Sequence, residues 1–112
     1  MSKMTKMELI NKNRKELDEL CSSLKVDELY AFGSILTDKF TPKSDIDFIV
    51  SILSDDPIEY AENYFKLKFK LEKIFKRKID LLEQKAIRNK VFENLVNKKK
   101  MLVYARRNQG MA

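Results

Sequence analysis

Apolar residues recur at helical spacing from Met7 to Leu24, where Ile10, Leu17, Leu20, Cys21 and Leu24 share one face, and Thr5 with Glu8 has the spacing of a capping box. Lys25-Val26-Asp27 reads as a turn and Glu28-Leu29-Tyr30-Ala31-Phe32 as a short strand. That strand runs into Gly33-Ser34, where a turn must open, with Ser34 placed to cap a short helix over Ile35 to Phe40. A second strand follows at Asp45 to Val50. Asp56-Pro57 suits the start of a long helix, because aspartate caps and proline fits the first turn. Its stripe is Ala61, Tyr64, Lys68, Leu71 and Phe75, widened by Phe65, Leu67 and Phe69. Lys78 to Glu83 predicts a third strand, Ile87 to Val96 a helix with Val91, Phe92, Leu95 and Val96 facing in, and Met101 to Tyr104 a final strand. This alternation predicts an α/β fold, a small mixed β-sheet packed with helices, as a single domain over residues 1–105 with a polar tail over 106–112.

Composition narrows the chemistry. A chain of 112 residues that is 44% hydrophobic and 36% charged can bury one core and is too apolar to be disordered. It has no apolar run long enough to span a bilayer, and Met1-Ser2-Lys3-Met4-Thr5-Lys6 lacks the hydrophobic centre of a signal peptide, so the expectation is a cytoplasmic protein with no membrane role. Cys21, the single cysteine, falls on the apolar face of the first helix and reads as a buried thiol. With no histidine in the chain, cysteine-histidine and serine-histidine nucleophilic sites and histidine-ligated zinc are excluded. GxxxxGK[ST] and GxGxxG patterns are absent too, which removes ordinary P-loop and Rossmann sites. The net charge of +6 is concentrated in Lys66, Lys68, Lys70, Lys73, Lys76, Arg77 and Lys78 and in Lys98-Lys99-Lys100. Such runs are usually solvated faces. Phe65, Phe69 and Phe75 sit at core spacing rather than as base-stacking platforms, so nucleic acid is not the favoured partner, and steering of an anionic nucleotide is the functional alternative.

The candidate chemistry lies in Gly33-Ser34 and, after the ten residues Ile35 to Ser44, in Asp45-Ile46-Asp47. Side chains alternate across a strand, so Asp45 and Asp47 point one way while Ile46, Phe48 and Val50 point the other. Two carboxylates so close repel each other unless a cation lies between them, and magnesium favours carboxylate, water and phosphate oxygens. Gly33 lets backbone approach a ligand, and Ser34 with free amides at a helix start would seat phosphate. Asp80 interrupts the apolar run Ile79 to Leu82 and would bring a third acid from a neighbouring strand. On its own it reads equally as an exposed acid beside Lys78. Glu83 reads as a surface or helix-start residue.

Taken together, Gly33-Ser34, the spacer, Ser44-Asp45-Ile46-Asp47 and Asp80 resemble the pattern of minimal nucleotidyltransferases of the DNA polymerase beta superfamily, short proteins paired with all-helical HEPN partners. The likeness covers nearly the whole chain. It implies the nucleotidyltransferase fold and transfer of AMP from ATP to a tyrosine of the HEPN partner, as the antitoxin of a toxin-antitoxin pair. Asp45, Asp47 and Asp80 would be catalytic and hold two magnesium ions, and Gly33 and Ser34 would hold the terminal phosphates. Where the family often carries basic residues and a second glycine, this chain has Ile35-Leu36-Thr37-Asp38, leaving Lys39 and Lys43 as the nearby cations to neutralise phosphate. A contact-only module that neutralises its partner, transfer to RNA or a small molecule, and self-association stay open as alternatives.

Overall fold

The structure is a computed structural model, and it describes residues 6–106. The capping pair Thr5 and Glu8 and the tail beyond Arg106 therefore lie wholly or partly outside the described residues.

The helical pattern of the first segment is realised as two helices, α1 (Lys6–Lys12) and α2 (Arg14–Ser23). Asn13 divides them. Its side-chain amide donates back to the Leu9 carbonyl at 3.0 Å and its backbone N–H to Ile10 at 3.1 Å, a local alternative to the helical ladder that asparagine favours. Leu17, Cys21 and Leu24 are buried on one face as expected, and burial pushes the Cys21 thiol up to about 12, which keeps it protonated and inert. The turn is Leu24-Lys25, with Lys25 at a left-handed φ of 60°, so β1 (Val26–Phe32) begins earlier than its alternation suggests.

The strands β2 (Ile46–Ile52), β3 (Ile79–Glu83) and β4 (Met101–Ala105) complete a mixed sheet in the order β3-β2-β1-β4. Strand β1 is antiparallel to both neighbours, whereas β2 and β3 are parallel and are joined by the crossover helix α3 (Pro57–Phe75). Asp56 caps α3 through its carboxylate, which accepts from the Ile58 N–H at 2.9 Å, with Pro57 in the first turn.

Helices α2 and α3 cover one face of the sheet. Ile46, Phe48, Val50 and Ile52 of β2 meet Leu17 and Cys21 of α2 and Leu67, Leu71 and Phe75 of α3 in one cluster. The buried stripe of α3 is Asn63, Leu67, Leu71 and Phe75, at strict four-residue spacing. Phe65 and Phe69, expected at the core, are 52% and 56% exposed and stack on each other instead, with Ala61 exposed beside them. Asn63 takes the place of an apolar residue because its amide donates to the Leu24 carbonyl at 3.1 Å, satisfying the end of the α2 segment. Asn63→Ala strands that carbonyl and is expected to cost about 1–3 kcal/mol in a urea titration.

Helix α4 (Lys90–Lys99) is capped by Asn89, whose side chain accepts from the Phe92 N–H at 3.0 Å. Only Val96 of its apolar residues is buried. Val91 at 78% and Leu95 at 50% exposure, with Phe92 half-exposed, correct the expectation that they face in. They stand exposed because α4 lies beside the second sheet face at its edge, reaching it through Phe92, whose ring meets Phe32 edge-on at 6.2 Å. Among the described residues no helix is long and apolar enough to cross a membrane.

Candidate active site

The second sheet face carries the acids. Register fixes their company: Phe32 of β1 lies opposite Asp47 of β2, and Asp47 opposite Asp80 of β3, forming one row across three strands. The next row is Tyr30, Ile49 and Leu82, so an apolar floor adjoins the acidic row. Ile49 is fully buried there, while Asp80 and Leu82 are exposed.

Asp47 is the centre of this arrangement. Burial, a hydrogen bond to Asp80, and the charges of Asp80 and then Asp45 push its carboxyl up to about 6 from an ordinary 3.8. The native protein therefore holds this proton more tightly than the unfolded chain does. The stability it contributes is fully present below pH 3.8 and is lost as pH rises through about 6. In buffer containing a chelator, the thermal midpoint of the native protein should fall relative to that of Asp47→Asn between pH 4 and 7; parallel pH profiles of the two would contradict this.

Gly33 closes on the same carboxylate. It has a positive φ of 81°, and a Cβ placed there would lie 2.3 Å from Asp47 Oδ2, so both the backbone angle and the close approach require glycine. The segment after it is a 3-10 turn, Gly33–Leu36, not the expected helix over Ile35 to Phe40. Ser34 accordingly does not act as a helix cap. Its carbonyl accepts from the Thr37 N–H at 2.9 Å and from the Thr37 hydroxyl at 2.8 Å, ending the turn. Thr37 breaks the helix because its β-branched side chain completes this closure.

Asp45 lies one residue before β2, exposed, rather than within the strand. It is near enough for its charge to act on Asp47, but among the described residues no group of three or more His, Cys, Asp or Glu is arranged around one metal position. The residues brought together are thus Asp47, Asp80 and Gly33, with Asp45 at the margin. Lys39 and Lys43 are exposed on the loop between the 3-10 turn and β2, and their backbone N–H groups donate to the Thr37 and Thr41 hydroxyls at 3.2 Å. An all-oxygen set of two facing carboxylates suits a hard cation such as magnesium, and the proton that Asp47 holds is what that cation would replace.

Two features escape sequence reasoning. A cleft of about 680 Å³ opens beside Gly33 between the 3-10 turn and α4, walled by Phe32, Leu36, Phe92, Leu95 and Met101 with Lys99 at its rim. Arg77, hidden among lysines in the sequence, holds the loop that leads to Asp45: its guanidinium donates to the Thr41 and Ser44 carbonyls at 3.1 Å each. The one signal for it was its residue type, since a guanidinium presents N–H groups in fixed directions, here two from Nη1, where an ammonium serves as a point charge.

A family model described as "Nucleotidyltransferase domain" matches residues 11–107. No curated protein sequence matches the chain. Among solved structures, a chain described as a minimal nucleotidyltransferase superposes with a TM-score of 0.68 at 18% identity, over 84% of this chain and 92% of that one. A toxin-antitoxin structure with AMP-PNP gives 0.63 at 21% identity, over 87% and 77%. The complex of a tri-AMPylated Shewanella oneidensis HEPN toxin with an MNT antitoxin gives 0.58 at 19% identity, over 91% and 77%. At these identities the superpositions speak for the fold, a single α/β domain with a four-stranded mixed sheet. The match of the family model across most of the chain, on a sheet that sets Asp47 against Asp80 beside Gly33, places the protein in the nucleotidyltransferase domain family.

Proposed function

We propose that this nucleotidyltransferase moves AMP from ATP to a hydroxyl of a partner protein, an all-helical HEPN toxin that it thereby silences in the cytoplasm. The observation that carries the reading is the facing pair Asp47 and Asp80 beside the close backbone approach at Gly33. The solved relatives that contain AMP-PNP or a tri-AMPylated HEPN toxin supply the direction of the transfer.

Asp47 and Asp80, with Asp45 at the margin, would hold magnesium, whose chemistry is to neutralise the phosphate oxygens as charge develops on them. Gly33 and Ser34 lie where backbone approaches the triphosphate, and Lys39 and Lys43 are the cations to balance its outer charge. The cleft walled by Phe32 and Phe92 has room and apolar surface for the nucleoside. In the reaction the acceptor oxygen bonds to the α-phosphorus as the bond from that phosphorus to the β-bridging oxygen breaks. Pyrophosphate leaves with the electron pair, and Asp80, exposed on its strand, takes the hydroxyl proton. Incubation with magnesium, ATP labelled at the α-phosphate and the partner should place label on the partner. Label confined to RNA or a small molecule would redirect the assignment.

Two observations favour a second reading, neutralisation by contact with little or no transfer. Among the described residues the three acids do not converge on one point, and no arginine stands in the loop from Ile35 to Ser44 that directly follows Gly33-Ser34. Under that reading Asp47→Asn neutralises the toxin as well as the native chain does.

A further inference from the structure

The geometry points to Arg77 as the positioning residue for Asp45, a clamp that sets the first acid of the site from the far end of the crossover helix. This inference rests on the reading of Asp47 and Asp80, with Asp45 at their margin, as a cation-binding site.

Asp45 is not fixed by the sheet. It precedes β2 and is exposed, so its location depends on the loop from Thr37 to Ser44. The last four residues of that loop form a closed turn, in which the Ser44 N–H donates to the Thr41 carbonyl at 3.0 Å and the Thr41 N–H donates to Ser44 Oγ at 2.9 Å. Arg77 Nη1 donates to the carbonyls at both ends of this turn, Thr41 and Ser44, and the guanidinium lies over the Phe40 ring with its carbon 4.9 Å from the centroid. Three attachments, on Phe40, Thr41 and Ser44, thus bind the loop to one side chain.

The other end of the clamp is equally fixed. Arg77 stands between Lys76, which ends α3 in the left-handed conformation at φ 56°, and Lys78, whose carbonyl accepts from the Ile46 N–H at 3.2 Å. Asp80 follows three residues after Arg77, so one short segment places Asp80 through the strand and Asp45 through the clamp. Arg77 Nε is buried without a partner among the described residues, and burial also lowers the guanidinium's pKa. A cation simply lying on the surface would carry neither cost. Its neighbours Lys76 and Lys78 are exposed.

Outer contacts that orient a ligating carboxylate commonly matter about 10–100-fold in metal affinity, which sets the scale of the test. Binding of manganese alone, followed by its electron paramagnetic resonance signal, should weaken about tenfold in Arg77→Ala and be partly restored in Arg77→Lys. Amide exchange at Ser44 should quicken in Arg77→Ala while exchange in β1 and at Leu67 and Leu71 stays as in the native protein. A general loss of structure would quicken all of them and lower the thermal midpoint of both variants alike. Native manganese affinity in a folded Arg77→Ala, or exchange at Ser44 no faster than before, overturns the clamp and leaves the acidic site standing. Absence of manganese binding by the native protein, unchanged by Asp47→Asn, overturns the cation-binding reading and the clamp with it.

Discussion

Asp47→Asn is expected to reduce nucleotidyl transfer roughly a thousandfold while raising the thermal midpoint of the metal-free protein at neutral pH. Both effects have one source. The carboxylate is held between burial and two other acids, which push its pKa up to about 6, so at neutral pH the native state carries a charge that its surroundings disfavour. Asparagine keeps the shape, removes the repulsion and also removes the ligand. A side chain retained only for stability would not behave this way, since its loss would lower the midpoint. The two measurements are label transfer to the partner and a thermal melt in chelator. A variant that transfers at the native rate, or one that melts lower with its fold otherwise intact, would refute the assignment of Asp47 as the central ligand.

Gly33→Ala is the companion substitution, and it should cost about 2–4 kcal/mol of stability together with most of the activity. Part of that cost is the positive φ of 81°, worth roughly 1–2 kcal/mol for any residue with a Cβ. The rest is collision, because the added carbon falls 2.3 Å from Asp47 Oδ2 and 3.2 Å from its Cγ. The carboxylate must swing away or the ends of β1 and β2 must part. The two contributions can be separated in a double-mutant cycle. In an Asp47→Ala background the collision disappears, and Gly33→Ala should then cost only the backbone share of about 1–2 kcal/mol. Additive stabilities in the urea-denaturation cycle would mean that the contact between Gly33 and Asp47 is not what selects glycine here.

Much of the fold was legible in the chain, and the places where it was not have definite causes. Alternation in Ile46-Asp47-Phe48 gave the faces of β2 correctly, and Asp56-Pro57 marked the start of α3. The pairing of Asp47 with Asp80 was anticipated only as neighbouring strands, because register in a parallel pair is set by the crossover and leaves no local trace. Asn13 ended a helix from within a convincing helical pattern, by a side-chain bond that periodicity does not register. On α3 two stripes have helical spacing, one through Leu67 and Leu71 and one through Phe65 and Phe69. The sequence reading took in both, naming Leu67, Leu71 and Phe75, which are buried, together with Phe65 and Phe69, which are not, and the polar Asn63 gave no apolar signal to mark the start of the true stripe. The apolar residues of α4 misled for a related reason: amphipathic spacing tells which residues share a face but not whether the sheet offers that face a partner. Asp45 was set on the strand by counting, whereas the turn that Ser44 closes postpones the strand by one residue.

The acid-bearing face, with Asp80 exposed and Leu82 and Leu102 at 39% and 43% exposure, lies open to bulk solvent across much of its width. A nucleotide held there with no acceptor in place would have water as its nearest nucleophile, so wasteful hydrolysis and productive transfer would compete for the same bound donor. On the proposed reading a docked acceptor would serve as the missing roof, and fidelity toward it would follow from shutting out the solvent as much as from recognising a surface.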